Sequence, residues 1–464
     1  SRRTPQVKFS KQTILARFHK LPEIRFEDQQ LTSFGGAIVF MALFQRLDLL
    51  ARLKQCFQHL KGSPIFGPHR IVLVLIAHLL LGFRRLRDVD YYRDDPLVQR
   101  LSGLHRLPDV ATISRALTAM DQRSVERVRQ LCSTLVIEGL QREQFARLTV
   151  DFDGSVNSTQ GHAEGTAVGY NTKKKGARSY YNLYATVAQT GQFLDVLHRS
   201  GNVHDSNGAR AFMMDTFDRV GAACPQAVLE SRMDSAFFNQ QTLTLMDLYG
   251  VECTASVPFE RFPVLKQMIE SRRRWRRLDD ERFYFESDWK PKSWPATYRF
   301  LFVRHTVRRQ VKGPLQLDLF EPREVDYDYR VVVTNKMGSA RSVLLFHHGR
   351  GSQERIFAEA KQHAGLDLIP TRRLVGNQMV TLCAMMAHNL GRELQMLAQP
   401  RATYSRAKRP AAWVFQTLDT LRHRFIQRAG RLTQPQGNLT LTLTPNPMVE
   451  NDLLHFIDAL HKAA

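Results

Sequence analysis

The feature that most constrains the fold of this chain is a set of short apolar runs, interrupted by one helical run, in its middle third. The strand-like runs are residues 145–152, 180–189, 192–201 and 227–234, and residues 205–220 form the helical run. Thr190-Gly191 separates the second and third runs, so those strands are predicted to form a hairpin around a two-residue turn. Asp205 or Ser206 is the expected N-cap of the helix.

Three strands, a helix and a fourth strand follow the order of a ribonuclease H-like core. We therefore expect an α/β fold with this core, interrupted by a β-rich insertion in which strand-like runs alternate with basic turns. The expected regions are a helical N-terminal DNA-binding region (1–144), the first part of the core (145–249), the insertion (250–337), the second part of the core (338–400) and a small, mainly helical C-terminal region (401–464).

The charge balance indicates a polyanionic partner. The chain has 464 residues, a formal net charge of +22 and an isoelectric point of about 10.1. Each phosphate that such a surface neutralises releases counterions, so nucleic acid is the favoured partner. A membrane is disfavoured, because the longest apolar run, Ile71–Phe83, has 13 residues and roughly 20 are needed to cross a bilayer. We interpret this run as a core helix.

The five cysteines are widely spaced and form no C-x-x-C pair. An odd number of scattered thiols disfavours both a disulfide framework and a structural zinc site. The chain also shows no signal-peptide pattern. We therefore expect it to work in a reducing cytoplasm.

Two features of the N-terminal region are candidates for DNA contact. Residues 1–20 carry six Lys or Arg and no acid, which is typical of a solvated tail or of an arm that follows DNA. Residues 107–121 contain a Pro-Asp break followed by Thr112, Ser114 and Arg115 on an amphipathic run, as in the second helix of a helix-turn-helix. An ordinary helix hairpin would give the same pattern.

Two aspartates are predicted to lie at the ends of core strands. Asp153 follows the first strand and precedes Gly154, and Asp234 follows the fourth strand. Alone, each would more often be a turn or N-cap residue, but together, 81 positions apart, they form a candidate metal site. Asp151 points to the same strand face as Asp153, so either carboxylate can be the ligand. Asp153 is favoured, because the exposed end of a strand reaches the substrate.

A late helix carries the most specific local pattern. His347, Arg350, Glu354 and Lys361 are spaced by 3, 4 and 7 residues. At about 100° per residue, Arg350 and Lys361 fall within about 40° of Glu354 on one helix face. The residues predicted to face solvent are Arg355, Glu359 and Gln362. Glu354 can bind metal and the two cations can hold phosphates, although a face of i,i+4 ion pairs would look similar.

Two basic segments are candidates for phosphate contact. The loop after the first aspartate carries Lys173, Lys174, Lys175 and Arg178, and the insertion carries the run Arg272–Arg277. Because the loop follows the first core strand, we expect it near the metal end of that strand. Such contacts position DNA without reading its sequence. A solvated basic loop is the alternative.

The acidic residues and their settings resemble those of DDE transposases of bacterial insertion sequences. The pattern Y-x2-R-x3-E-x6-K of those enzymes fits His347, Arg350, Glu354 and Lys361, with His in the place of Tyr. Further stretches resemble the insertion sequence 1380 family: "GYNTKKKGARSYYNLYA", "SGNVHDSNGA", "RMDSAFF" and "RGSQERIFAEAK". The resemblance covers about residues 100–390.

The resemblance implies cut-and-paste transposition. In such an enzyme Asp153, Asp234 and Glu354 hold two Mg²⁺ ions, for which Mn²⁺ can substitute. Arg350 and Lys361 hold phosphates beside the scissile bond. A homodimer binds the terminal inverted repeats of double-stranded DNA and joins their 3′-OH ends to target DNA. The implied location is the bacterial cytoplasm.

Related insertion sequence 4-like transposases cut DNA through a hairpin and stack a flipped base on an aromatic residue of the insertion. Trp289 and Trp294 are the candidates for this role here, with Trp275 as a third. Core packing is the alternative for each ring.

Two alternative functions use the same residues. A transposase-derived DNA-binding protein would bind repeat-bearing DNA without a metal-dependent cut. A ribonuclease H-like nuclease would cut DNA and never join strands. Detection of cleavage and of strand transfer separates these possibilities from a transposase.

Replacing Asp153 by asparagine tests its assignment as a metal ligand. The substitution keeps the size of the side chain and removes its charge, so we expect DNA cleavage to be abolished while binding to the repeat ends is retained. A gel-shift titration and a cleavage assay on the same protein measure the two effects. Loss of binding in a folded Asp153→Asn variant would contradict the assignment.

Overall fold

A mixed β-sheet of ten strands, with helices packed against it, forms the centre of the structure. The computed structural model describes residues 29–60, 65–169, 174–203, 207–307, 326–402 and 411–462, together with positions 22, 26, 27, 63 and 171. The basic segment 1–20, Lys173 and the two predicted N-cap residues, Asp205 and Ser206, lie outside the described residues.

The chain has a helical block, then a block in which most strands lie, then a second mainly helical block. The strands are β1 (Leu31–Thr32), β2 (Arg147–Thr159), β3 (Ala167–Val168), β4 (Arg178–Val187), β5 (Gln192–Leu197), β6 (Val228–Met233), β7 (Glu252–Val257), β8 (Arg276–Arg277), β9 (Arg282–Trp289), β10 (Tyr298–Val307), β11 (Asp326–Thr334), β12 (Gly430–Thr433) and β13 (Thr440–Leu443). The α-helices are α1 (Ile38–Arg46), α2 (Leu49–Cys56), α3 (Pro68–Leu81), α4 (Pro96–Leu101), α5 (Val110–Ala119), α6 (Gln122–Glu143), α7 (Ala209–Ala223), α8 (Gln240–Leu248), α9 (Pro263–Glu270), α10 (Ala340–His348), α11 (Gly351–Ala364), α12 (Leu374–Ala398), α13 (Leu418–Leu421) and α14 (Pro447–Lys462).

The strand order in the large sheet is β3-β4-β2-β6-β7-β11-β10-β9-β8, with β5 also paired to β4. β2, β6 and β7 run parallel, and the remaining pairs are antiparallel. Parallel neighbours need a crossover connection, which α8 provides between β6 and β7. The fold is mixed α/β, and the four predicted strands and the predicted helix are confirmed.

Two details of these elements differ from the prediction. The β4–β5 hairpin turns through four residues, 188–191, rather than two, because its last strand pair is Val187↔Gln192. Helix α7 begins at Ala209, and its N-cap is Gly208, whose φ of 73° lies in the left-handed region. Glycine adopts that conformation without a steric penalty.

The region predicted to be an insertion, residues 250–337, contains β7 to β11. β7 is hydrogen-bonded in parallel to β6. β8 to β11 extend the same sheet through the antiparallel β11–β7 pair. The sequence predicts strands in this segment. It does not predict that they continue the same sheet, because that depends on pairing between residues far apart in the chain.

The N-terminal helices share one apolar core with α11, α12 and α14. Helix α12 has 25 residues, is buried along most of its length and contacts α3, α6 and α14. The apolar run Ile71–Phe83 lies largely in α3 and is buried, so its interpretation as a core helix is confirmed. Within the described part of the chain, no helix is long and apolar enough to span a bilayer.

A buried ion cluster joins two of these helices to the sheet. The side chain of Asp195 on β5 is 0 % exposed. It accepts hydrogen bonds from Arg129 on α6 at 2.6 and 2.7 Å, and from Arg219 on α7. Asp215 pairs with the same two arginines, but its side chain is 55 % exposed. Because an unpaired buried charge is costly, Asp195 is expected to hold α6 and α7 against β5.

Asp195→Asn should lower the free energy of unfolding by about 3 kcal/mol, because two arginines lose their buried counter-charge. Asp215→Asn is the matched control and should stay within about 1 kcal/mol of the wild type, since exposed ion pairs contribute little. Urea unfolding followed by circular dichroism measures both variants. If the free energy of unfolding falls equally in the two variants, the stabilising effect of the cluster does not come from the burial of Asp195.

Candidate active site

Asp153 lies where β2 has lost its pairing with β6. The last residue of β2 paired with β6 is Thr149, and β2 then runs on to Thr159 paired with β4. The predicted strand end at Asp153 is therefore wrong, and the end of the β2–β6 pairing exposes this residue instead. Its carboxylate is 19 % exposed, accepts a hydrogen bond from Gly154 N at 2.8 Å and lies 3.8 Å from Arg350 Nη1.

Asp234 follows β6 directly, as predicted. Because β2 and β6 are parallel and Thr149 pairs with Glu230, Asp153 and Asp234 each lie four residues beyond the same pair. The two aspartates therefore lie at the same level along the two parallel strands. Asp234 also accepts a hydrogen bond from Ala236 N at 2.9 Å and caps the short helical turn that follows, so the N-cap interpretation is correct as well.

Glu354 is exposed in the first turn of α11. The sequence predicted one helix face for Arg350, Glu354 and Lys361, but in the structure Arg350 precedes the helix that carries the other two. His347 lies in the last turn of α10, and the chain turns at Gly349–Arg350 before α11 begins. Glu354 and Lys361 share α11, and the other two residues precede it.

His347 is bound to β7. Its Nδ1 lies 2.9 Å from Thr254 Oγ1 and its Nε2 lies 3.0 Å from Ser256 Oγ. Burial, reinforced by the positive charge of Arg350, lowers the pKa of the ring to about 3, so the ring is neutral at physiological pH. A neutral imidazole has one N–H group, and hydroxyl groups engage both nitrogens. The hydrogen bond to a phosphate predicted for His347 is not available in this arrangement.

Lys361 reaches from α11 to β2. Its Nζ donates to the carbonyl of Val156 at 2.9 Å. Glu354 and Lys361 are about two helical turns, or about 10 Å, apart along the helix axis. The positive charge of Lys361 is thus placed beside the strand that carries Asp153.

A cleft of about 460 Å³ lies next to the three predicted acids. Its lining includes Ser235, Glu260, Arg330, His347, His348, Arg350 and Glu354. Glu354 lines the cleft directly, Asp234 precedes a lining residue, and Asp153 is paired with Arg350. Within the described residues, no three His, Cys, Asp or Glu side chains are close enough to form a metal site. Glu354 thus lines the cleft, the two aspartates lie beside lining residues, and the three acids do not converge into a preformed set of ligands.

Asp151 and Asp153 differ in exposure although they share a face of β2. Asp151 is 1 % exposed and is bound by the fully buried Arg232, which donates to its two carboxylate oxygens at 3.0 and 2.5 Å. Asp153 is partly exposed and faces Arg350, which lines the cleft. Sequence reasoning missed Arg232, and the available signal was its position two residues before Asp234, which matches the offset of Asp151 from Asp153.

The predicted solvent face of α11 is wrong at Glu359. Its carboxylate pairs with Arg392 of α12, and both side chains are nearly buried. Arg355 and Gln362 are exposed, as predicted. The prediction fails at Glu359 because α12 packs over this side of α11, whereas helical periodicity alone predicts that the side is exposed to solvent.

The basic loop is farther from Asp153 than predicted. Its exposed cations in the described residues are Lys174 and Lys175. Arg178 begins β4, donates to Thr166 Oγ1 at 3.1 Å and pairs with Thr159. Thr159 is six residues along β2 from Asp153, which is about 20 Å at 3.3 Å per residue. Lys174 and Arg178 line a groove of about 490 Å³ at that far end.

The tryptophans predicted to stack on a base are packed in an apolar core. Trp294 is 8 % exposed, and its ring centroid lies 5.0 Å from that of Phe238. Trp289 packs edge-on against Phe300 at 5.1 Å, and Trp275 is partly buried in the same core. The alternative of core packing describes these rings better than base stacking.

Thr112, Ser114 and Arg115 lie on α5, which is capped by Asp109. Ser114 and Arg115 are exposed. Residues 102–109 separate α4 from α5, which is longer than the turn of about 3–4 residues in a helix-turn-helix. The expected spacing of that motif is therefore absent between α4 and α5, and DNA contact by α5 stays a prediction.

The ring of His347 should remain neutral down to about pH 5, because its folded-state pKa is about 3 and an unfolded histidine titrates near about 6.5. Between these two pKa values, unfolding is accompanied by uptake of a proton. The contribution of this histidine therefore lowers the free energy of unfolding progressively as the pH falls from about 6.5 towards 3. Histidine-selective ¹⁵N NMR, with His347→Gln to assign the signal, measures the titration. Protonation of the folded-state ring near neutral pH would contradict this expectation.

Among solved structures, two similar chains are transposases in complex with DNA. The cryo-EM structure of the piggyBac transposase synaptic complex with hairpin DNA is 10 % identical, with a TM-score of 0.41, and the match covers 76 % of this chain and 74 % of that chain. The Mos1 transposase paired-end complex with the left transposon end is 9 % identical, with a TM-score of 0.18, covering 42 % and 60 % respectively. No curated protein matches the chain.

One protein family matches nearly the whole sequence. Its description is "Transposase DDE domain group 1", and the match spans residues 16–464. This range contains the cleft, the three acids and the helices around them. The chain therefore belongs to the DDE transposases of domain group 1.

Proposed function

We propose that the chain binds the terminal inverted repeats of its own element, cuts DNA at their borders and joins the 3′-OH ends to target DNA. The observation that carries this proposal is the cleft at which Glu354, Arg350 and the residue after Asp234 meet, with Asp153 3.8 Å from Arg350. Membership of a DDE transposase family supports it. The net charge of +22 favours a nucleic-acid partner.

A ribonuclease H-like core is the proposed frame of this site. The strand order β5-β4-β2-β6-β7, antiparallel at its beginning and parallel from β2 onwards, supports this assignment. Ligand sites in sheets of this kind lie beyond the carboxyl ends of the parallel strands. In this proposal β8 to β11 form the insertion, and the N-terminal and C-terminal helices form the flanking DNA-binding and supporting regions.

Asp153, Asp234 and Glu354 are the residues that would hold the divalent metal ions. A set of carboxylates suits a hard cation such as Mg²⁺, and Mn²⁺ accepts the same ligands. Two such ions, when bound, stabilise the charge on the attacking and leaving oxygens of a phosphodiester. Asp151 has no part in this set, because the buried Arg232 engages its carboxylate.

Arg350 and Lys361 would hold phosphates beside the acids. The Arg350 guanidinium already faces the Asp153 carboxylate at 3.8 Å, and it can take a phosphate in a bidentate fork. Lys361 lies beside β2 at Val156 and would act as a point charge. His347, in contrast, is proposed to keep α10 on β7 and not to contact DNA.

In more detail, we propose cut-and-paste transposition by a homodimer, as the resemblance to insertion sequence 1380 transposases implies. A DNA hairpin is included, because the β-rich segment before the glutamate resembles the insertion of hairpin-forming relatives. The stacking role proposed for the tryptophans would require Trp289 or Trp294 to leave its present packing.

Incubation of the purified protein with the DNA that flanks its own gene, in Mg²⁺ or in EDTA, tests the proposal. We expect Mg²⁺-dependent nicks at the repeat borders and joined products after addition of target DNA. Asp234→Ala should reduce cleavage by about three orders of magnitude or more, as expected for removal of a group on which the chemistry depends. Asp218→Ala, an exposed aspartate outside the cleft, is the matched control and should cut as the wild type does.

A transposase-derived DNA-binding protein is the second candidate, because the acids of the described chain do not converge into a ligand set. Tight binding to the repeats by the wild type, with no metal-dependent nick, would establish it. Nicks without any joined product would instead indicate a nuclease.

A further inference from the structure

Each proposed metal ligand has a buried neighbour in the sequence. We call Asp151, Arg232 and Gln353 the buried cluster, and Asp153, Asp234 and Glu354 the acidic set. The first two members of the buried cluster precede their acids by two residues, and the third precedes its acid by one. All three are at most 1 % exposed. Since residues i and i+2 of a strand share a face, the buried cluster lies on the cleft side of the sheet, beneath the acidic set.

Hydrogen bonds join the members of the buried cluster. Arg232 donates to both carboxylate oxygens of Asp151 at 3.0 and 2.5 Å. Gln353 Nε2 donates to the main-chain carbonyl of Asp151 at 3.1 Å and to Thr186 Oγ1 on β4 at 2.9 Å. β2, β6 and α11 thus meet at one point, and displacement of any one of them would leave buried polar groups without partners.

The turn that leads into α11 is held at the same point. Arg232 Nη1 donates to the carbonyl of Phe346 at 3.4 Å, and its guanidinium lies 5.4 Å from the centroid of that ring. A Cβ on Gly349 would lie 2.1 Å from Arg232 Nη1, so a larger residue at this position would displace the buried guanidinium. The start of the helix that carries Glu354 is therefore located by Arg232 as well as by Gln353.

We propose that the buried cluster is a positioning device that sets the spacing of the acidic set. This inference rests on the proposed function, because it assigns the cluster a role relative to the proposed metal ligands. The cluster contacts neither metal nor DNA and acts through the main chain of β2, β6 and α11. Its loss should therefore weaken metal binding while leaving the contacts that hold DNA in place.

Gln353→Met is the most direct variant. It preserves the length of the side chain, removes both donated hydrogen bonds and leaves the Asp151–Arg232 pair intact. We expect Mn²⁺ to bind about 10-fold more weakly than to the wild type, as is common for residues that support metal ligands. The signal of free Mn²⁺ in electron paramagnetic resonance, recorded without DNA, measures this affinity. The Kd for repeat DNA in EDTA should stay close to that of the wild type, and the Tm should fall only by the modest amount expected for two lost buried hydrogen bonds.

Gln362→Met is the matched control, since Gln362 is exposed on the same helix, and it should bind Mn²⁺ as the wild type does. If Gln353→Met binds Mn²⁺ like the wild type, or loses DNA binding and stability without a change in Mn²⁺ affinity, the positioning role is overturned. If Gln353→Met does not fold, Thr186→Val, which removes one of the two acceptors, is measured in its place. It is expected to weaken Mn²⁺ binding several-fold, and an unchanged affinity would also overturn the inference.

Glu354→Gln separates failure of this inference from failure of the proposed function. Equal Mn²⁺ binding by the wild type and Glu354→Gln would mean that the proposed metal site is wrong, and the positioning role falls with it. Loss of binding in Glu354→Gln together with unchanged binding in Gln353→Met would overturn the positioning role alone.

Discussion

The neutralisation of one fully buried guanidinium is the constraint on which the rest of this site depends. A buried charge has to be paired and hydrogen-bonded, and Arg232 meets this requirement through Asp151 on the neighbouring parallel strand and through the carbonyl of Phe346. The Phe346 ring also contacts the ammonium group of Lys336, which lies 4.4 Å from the ring centroid and donates to Glu230 at 2.6 Å. Paired charges therefore run along β6 and join the core strands to the helices that border the cleft.

Helix α11 is also held at its far end, by two arginines from opposite ends of the sequence. Arg84, which follows α3, donates to the carbonyl of Gln362 at 3.1 Å, and Arg422, which follows α13, donates to the carbonyl of His363 at 2.5 Å. Positive charge at the C-terminus of a helix and negative charge in its first turn, where Glu354 lies, both interact favourably with the helix dipole. The N-terminal and C-terminal regions thus contribute to the placement of a residue in the cleft.

Local signals were sufficient to predict the elements that carry the candidate site, because apolar runs, capping residues and glycines act over a few positions. Asp234 was therefore expected at a strand end, where it lies. The buried ion pair of Arg232 and Asp151 joins residues 81 positions apart, so the sequence indicates it through their matching offsets from Asp234 and Asp153 and not through any pattern of neighbouring residues. Arg232 also donates to the carbonyl of Phe346 beside the turn at Gly349, and this turn interrupts a helical periodicity that the sequence shows as continuous. Glu359 was misplaced for a similar reason, since its partner lies on another helix.

The continuation of β2 beyond its pairing with β6 has a consequence for the geometry of a bound duplex. Asp153 lies near one end of this extension, and Lys174 and Arg178 flank the other end, about 20 Å away along the strand. Phosphates of one DNA strand are about 3.4 Å apart along the duplex axis. A duplex lying along β2 would therefore present to the basic groove a phosphate about six base pairs from the one beside Asp153. The length of the strand, rather than any contact with a base, would then determine how far from the cut the groove holds the DNA.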